Sequence, residues 1–188
     1  MNLNILIVDD EINQRESLAG FLSKKEFIVD TAASGSEACS KIDKNPIDLL
    51  LCDFKMPDMN GLEVLKFAKN RNPETYVIIM TAFGSIEDAV KAMRDGAYNY
   101  IQKPIDLEEL LFQIEKIKER QFLVSENKDL KERLSEKFRF SEIVSVSSEM
   151  EEALNIAGRV AESKTTVLLR GESGTGKELF AKAIHYSS

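Results

Sequence analysis

The chain has 188 residues, more than one typical domain of roughly 150 residues and fewer than two. Its 25 basic and 32 acidic residues give a formal charge of -7, and no region is net basic, which argues against the positive footprint that nucleic-acid phosphates require. Two cysteines, Cys39 and Cys52, are too few for a disulfide scaffold, and no apolar run nears the ~18 residues of a membrane helix, so a cytoplasmic protein without membrane contact is expected.

Five short apolar runs succeed one another at residues 3–8, 27–33, 48–52, 76–81 and 98–102. Three of them are continuously hydrophobic, which is how strands buried on both faces read, with the intervening helical stretches covering those faces. Between the last two runs, Ile86, Ala89, Val90 and Met93 fall at i, i+3, i+4 and i+7. Ser85 is placed to cap this amphipathic helix and Gly96 to stop it. Five strand and helix units in roughly 120 residues predict a doubly wound α/β fold with a central parallel sheet. Ligands of such folds bind at the carboxyl ends of the strands.

Residues 106–138 contain no Gly or Pro and read as one long helix. Leu107, Leu110, Leu111, Ile114 and Ile117 form a first apolar stripe, and Leu123, Asn127, Leu130 and Leu134 repeat further on at 4-3-4 spacing. Both stripes suit a coiled-coil seam, with Asn127 at a core position that fixes register, and hence a homodimer through residues 106–138. The other reading is a solvated helix that folds back on its own domain.

A helix around residues 150–161 and an apolar strand at 165–169 are expected next. The turn Gly171-Glu172-Ser173-Gly174-Thr175-Gly176-Lys177 then opens a helix near Lys177. It fits G-x-x-x-x-G-K: glycines let backbone N–H groups face phosphate oxygens, the helix N-terminus adds positive potential, and Lys177 reaches the terminal phosphates. Glu178 departs from the general pattern, which has Ser or Thr there. As a bare pattern, the segment also reads as an ordinary glycine-rich turn.

The predicted strand ends carry the chemistry. Asp9 and Asp10 follow the first strand, Asp53 ends the third, Thr81 ends the fourth and Lys103 follows the fifth, so a parallel sheet gathers them at one edge. Packed carboxylates repel unless a cation intervenes, and hard oxygen ligands with open positions suit Mg²⁺. A lysine and a threonine hydroxyl beside that ion complete a site for a phosphoryl group, with a carboxylate as nucleophile. Singly, each residue has a plainer use: the aspartates as helix caps, the lysine as a solvated charge.

The run Ile7-Val8-Asp9-Asp10-Glu11, Asp53 followed by Met56-Pro57-Asp58-Met59-Asn60-Gly61, the pair Thr81-Ala82 and Lys103-Pro104 resemble the response-regulator receiver domain of bacterial two-component systems. The resemblance implies a flavodoxin-like (βα)5 fold over residues 1–120 and a sensor histidine kinase as phosphodonor. It makes Asp53 the phosphoacceptor, with Mg²⁺ held by Asp9, Asp10, Asp53 and the backbone carbonyl of Lys55. Thr81 and Tyr100 become the switch pair and Lys103 the phosphate-sensing cation. Cys52 reads as core filler, since a buried thiol carries little thiolate. Slow loss of phosphate is expected, because Phe83 is bulky and apolar and Lys55, while protonated, is no base.

Residues 166–170 running into Gly171–Leu179, with Ala183-Ile184-His185, look like the opening of the AAA+ domain of sigma-54-dependent transcriptional activators. Glutamate after the lysine is usual there. Ser145 stands where these domains commonly have glycine. The whole chain thus resembles the front of a nitrogen-regulatory-protein-C-like activator: receiver at 1–120, helical linker at 106–140, and the N-terminal fragment of the ATPase domain at 141–188. The resemblance implies ATP at residues Gly171 to Glu178 of the intact protein. It assigns contacts with sigma-54 RNA polymerase and DNA to regions beyond this chain. The fragment itself is expected to be a phosphoacceptor and not an enzyme.

Overall fold

The computed structural model describes residues 3–82, 86–137, 143, 147–161, 163 and 165–187, with residues 132–137 described in backbone alone. Phe83, Ser85, Phe138, Ser145 and the side chain of Leu134 therefore lie outside the described residues. The chain divides into two units, Met1–Glu119 and Arg120–Ser188.

In the first unit, β1 (Asn4–Val8), β2 (Ile28–Ala32), β3 (Leu49–Asp53), β4 (Tyr76–Thr81) and β5 (Asn99–Gln102) form one sheet in the order β2-β1-β3-β4-β5, with every pairing parallel. This is the doubly wound order whose switch point lies between β1 and β3. The helices between strands are α1 (Ile12–Ser23), α2 (Gly35–Lys44), α3 (Gly61–Arg71) and α4 (Ile86–Arg94), and α5 (Leu107–Lys137) follows β5.

Successive strand residues point to opposite faces, which sorts the apolar runs into two cores. On one face, Leu6, Val8, Leu50, Cys52, Val77 and Ile79 pack with Ala38 of α2, Val64, Leu65 and Ala68 of α3, and Ala92 of α4. On the other, Ile5, Ile7, Leu49, Leu51, Ile78 and Met80 pack with Leu18 and Leu22 of α1 and with Leu110, Ile114 and Ile117 of α5. Each fully buried Leu or Ile contributes about 1.5–3 kcal/mol. The two-layered burial explains why these strands read as continuous hydrophobic runs.

That second core corrects the expectation for the long helix. Its first stripe is not a coiled-coil seam, because Leu110, Ile114 and Ile117 are buried against the sheet as receiver core. Beyond Glu119 the same helix exposes Leu123, Asn127 and Leu130.

In the second unit, α6 (Ser148–Ala161) and α7 (Lys177–Tyr186) are the elements after α5, burying Ala157, Ala161, Phe180 and Ala183. The strand expected at 165–169 is absent: residues 165–172 are irregular, and Leu168 is 73% exposed. A strand needs a neighbour to complete its hydrogen-bond ladder, and the described residues of this unit supply none. Among the described residues no helix is long and apolar enough to cross a membrane.

Gly61 shows how tightly the β3 edge is built. Its N–H donates to the Phe54 carbonyl at 3.0 Å, and a Cβ placed there would lie 2.4 Å from the Asp53 carbonyl oxygen. Backbone blocks that position, so nothing can rotate aside. Gly61→Ala is expected to lower stability by about 1–3 kcal/mol, the usual cost of overpacking. Urea unfolding checks this, and an unchanged midpoint would refute it.

Candidate functional site

Strands β1, β3 and β4 and the turn after β5 bring Asp9, Asp53, Thr81 and Lys103 together at one sheet edge, although 94 positions separate the outermost pair. Asp9 is 2% exposed, Asp53 7% and Thr81 1%. The Lys103 side chain, only 8% exposed, reaches Asp9 Oδ2 at 2.8 Å and Asp53 Oδ1 at 3.2 Å. Its backbone N–H donates to the Thr81 carbonyl at 2.7 Å, which pins the end of β5 to the end of β4. Asp10 is exposed beside them, and one carboxylate oxygen from each of Asp9, Asp10 and Asp53 lies within 4.8 Å of the others.

The two carboxylate oxygens of Asp9 have different partners. One oxygen, Oδ1, accepts the Glu11 N–H at 2.9 Å as a turn cap, while Oδ2 faces Lys103. Asp53 Oδ1 also accepts the Phe54 N–H at 3.0 Å. Burial raises the Asp53 pKa from its ordinary value, against the opposing charge of Lys103. Burial also works against the Lys103 ammonium. The Asp9 hydrogen bond and the two carboxylate charges outweigh it and raise the lysine pKa.

Three carboxylates against one ammonium leave the cluster with excess negative charge. At 4.8 Å and an effective dielectric near 20, each carboxylate pair repels by about 3 kcal/mol. Hard oxygen donors, a buried inner wall and an exposed outer ligand in Asp10 fit a small divalent cation such as Mg²⁺, which keeps several waters.

The strand register sets Ile79 opposite Tyr100 and Thr81 opposite Gln102, so Thr81 and Tyr100 lie diagonally on one face. The Tyr100 ring packs edge-on against Phe54 at 6.3 Å, and its buried hydroxyl has no hydrogen-bond partner among the described residues. Cys52 is fully buried, which pushes its thiol pKa up and leaves it an inert core residue.

Two supporting residues were not singled out from sequence. Arg15 of α1 donates to the Asp9 carbonyl from six positions away, and nothing in its spacing announces that reach. Asp58 accepts from the N-terminus of α2, 22 and 23 positions away. The capping box of Asn60 and Glu63 on α3 also went unread, although N-x-x-E before an apolar run is the signal that finds it.

In the second unit, Gly174 and Gly176 both adopt φ of +83°, a left-handed backbone that suits glycine, and α7 begins at Lys177 as expected. The Lys177 ammonium donates to the carbonyls of Gly171 and Glu172, and Thr175 Oγ1 donates to the Glu172 carbonyl at 2.8 Å. Glu178 points elsewhere, pairing with Lys182 at 2.7 Å. A cavity of about 350 Å³, lined by Met150, Leu169, Gly171, Thr175, Lys177 and Phe180 among others, adjoins the turn.

Residues 5–115 match the family model of the response regulator receiver domain, and residues 143–188 that of the sigma-54 interaction domain. The chain is 38% identical over 184 residues to the regulatory protein AtoC of Escherichia coli K12, covering 98% of this chain and 40% of that protein. It is 39% identical over 186 residues to the transcriptional regulatory protein ZraR of Klebsiella oxytoca, covering 99% and 41%. It thus spans about two fifths of the length of the curated relatives it matches. Among solved structures, NtrX from Brucella abortus in complex with ATP superposes with a TM-score of 0.64 at 34% identity, covering all of this chain and 41% of that one. A CheY-like receiver domain from Methanospirillum hungatei JF-1 gives 0.62 at 35% identity, covering 64% of this chain and 98% of that one. The parallel sheet, the acidic edge and these matches agree: the chain belongs to the response regulator receiver family, and residues 143–188 after its receiver match the sigma-54 interaction domain.

Proposed function

We propose that this chain is the phosphorylation-controlled front of a cytoplasmic sigma-54-dependent activator, and that Asp53 accepts a phosphoryl group from a sensor histidine kinase. The observation that carries this reading is the buried Lys103 bridging Asp9 and Asp53 beside a third carboxylate. A carboxylate oxygen of Asp53 attacks phosphorus, the bond from phosphorus to the donor's imidazole nitrogen breaks, and the departing imidazole keeps the electron pair. Asp53 Oδ1 already faces Lys103 and the Phe54 N–H, so those donors hold the carboxylate's orientation and stabilise charge arriving on the phosphoryl oxygens. Asp9, Asp10, Asp53 and the Lys55 carbonyl would hold Mg²⁺, which would supply the remaining positive charge. Thr81 and Tyr100 read the phosphoryl group as a switch pair; the Tyr100 hydroxyl, buried without a partner among the described residues, supports that role.

The turn from Gly171 to Glu178 serves ATP in the longer protein, as the ATP complex of the Brucella relative suggests. Contacts with sigma-54 polymerase and DNA likewise belong to the longer protein. The exposed Leu123 and Leu130 of α5 support a homodimer through the linker.

With a small acyl phosphate and Mg²⁺, intact-mass measurement is expected to show one labile phosphate per chain, lost with a chelator and in Asp53→Asn. Undiminished labelling of Asp53→Asn would overturn the assignment. Equilibrium sedimentation is expected to give a dimer for the chain and a monomer for the Leu123→Asp, Leu130→Asp double variant; equal masses would remove the linker reading.

A further inference from the structure

The loop between β3 and α3, residues 54–60, carries Lys55, whose carbonyl the proposed site uses as a metal ligand. Its base is fixed to the sheet, since Phe54 N–H donates to the Met80 carbonyl at 2.7 Å and Gly61 N–H donates to the Phe54 carbonyl at 3.0 Å. Its far end is fixed to a different element. Asp58 Oδ1 accepts the Gly35 N–H at 3.2 Å, and Oδ2 accepts the Ser36 N–H at 2.9 Å and the Ser36 hydroxyl at 2.8 Å. These donors belong to the first turn of α2, where backbone N–H groups have no partner within the helix and the dipole favours an anion.

Capping of α2 is shared: Ser34 accepts the Glu37 N–H at 3.2 Å, and Asp58 takes the Gly35 and Ser36 N–H groups that Ser34 leaves, so that the cap comes from the loop and ties it to the helix. Packing reinforces the attachment, because a Cβ on Gly35 would lie 2.7 Å from Met59 Cβ, and Cys39 Sγ approaches Met59 Sδ at 3.8 Å. The loop is therefore seated on α2 by a carboxylate and by a close approach that only glycine permits. Lys55 lies between its two fixed points.

We infer that Asp58 is a positioning residue for metal binding, fixing the loop on α2 so that the Lys55 carbonyl is held where the cation needs it. This rests on the proposed phosphoacceptor reading and adds a residue to it. The carboxyl of Asp58 is held down at about 2, chiefly by the Ser36 N–H, so the attachment stays ionised throughout the working pH range. Groups hydrogen-bonded directly to metal ligands typically change metal affinity by about 10–100-fold when removed; Asp58 acts on Lys55 through the loop, which sets its effect at the lower end.

The test compares the full chain with Asp58→Ala, Asp58→Asn and Ser36→Ala by calorimetric Mg²⁺ titration and by the Mg²⁺ dependence of Asp53 labelling. Asp58→Ala is expected to raise the Mg²⁺ Kd about tenfold, with the labelling rate at saturating Mg²⁺ unchanged. Asp58→Asn, which keeps one acceptor oxygen, and Ser36→Ala, which removes one donor, are expected to give smaller shifts. Combining Ser36→Ala with Asp58→Ala should add nothing to Asp58→Ala alone. A lowered melting temperature with an unchanged Mg²⁺ Kd in Asp58→Ala would reduce the residue to a helix cap and overturn the inference. If the unmodified chain takes no label, the phosphoacceptor reading fails, and the calorimetric comparison still decides the role of Asp58.

Discussion

Three carboxylates with oxygens within 4.8 Å of one another are unstable company, and one buried lysine bridges two of them, Asp9 and Asp53. The repulsion, about 3 kcal/mol per pair, would drive these groups apart on a flexible chain. The sheet prevents that. Asp9 and Asp53 stand at the ends of neighbouring central strands, each paired in register and packed on both faces. The fold is thus the device that keeps like charges together, and the excess negative charge makes the edge suited to a small divalent cation.

The supports of this edge come from every side. Lys103 is tied through its own backbone to Thr81, Arg15 reaches the Asp9 carbonyl from α1, and Gly61 lies directly against the Asp53 carbonyl. Asp58 seats the adjoining loop on α2. Rigid placement of this kind is what a phosphoryl-transfer site requires, since positioning and electrostatics do most of the work.

Much of this was legible before the fold was known. The continuous apolar runs located the strands, and strand ends located Asp9, Asp53, Thr81 and Lys103, because a parallel sheet admits only one edge for carboxyl ends. The long helix was read correctly in extent and wrongly in part of its purpose. Its first stripe looked like a seam because a helix face buried on its own sheet and one buried on a partner share the same 3.6-residue pattern. The strand at 165–169 failed for the converse reason: its residues favour a strand, but a ladder requires neighbours that the described residues do not contain. Arg15 went unread, and Asp58 entered only within the run at 56–61 with no role of its own, because long-range contacts of single side chains with backbone leave no periodic trace.

If excess negative charge at the sheet edge is the organising constraint, a divalent cation must stabilise the folded chain through these carboxylates. The most direct measurement follows the thermal midpoint across a Mg²⁺ series in the unmodified chain and in Asp10→Asn, whose exposed side chain can be changed without breaking the Lys103 pairs. The account predicts a midpoint that climbs with Mg²⁺ in the former, as mass action requires, and a much weaker climb in the variant. The same rise in both chains, or none in either, would contradict it.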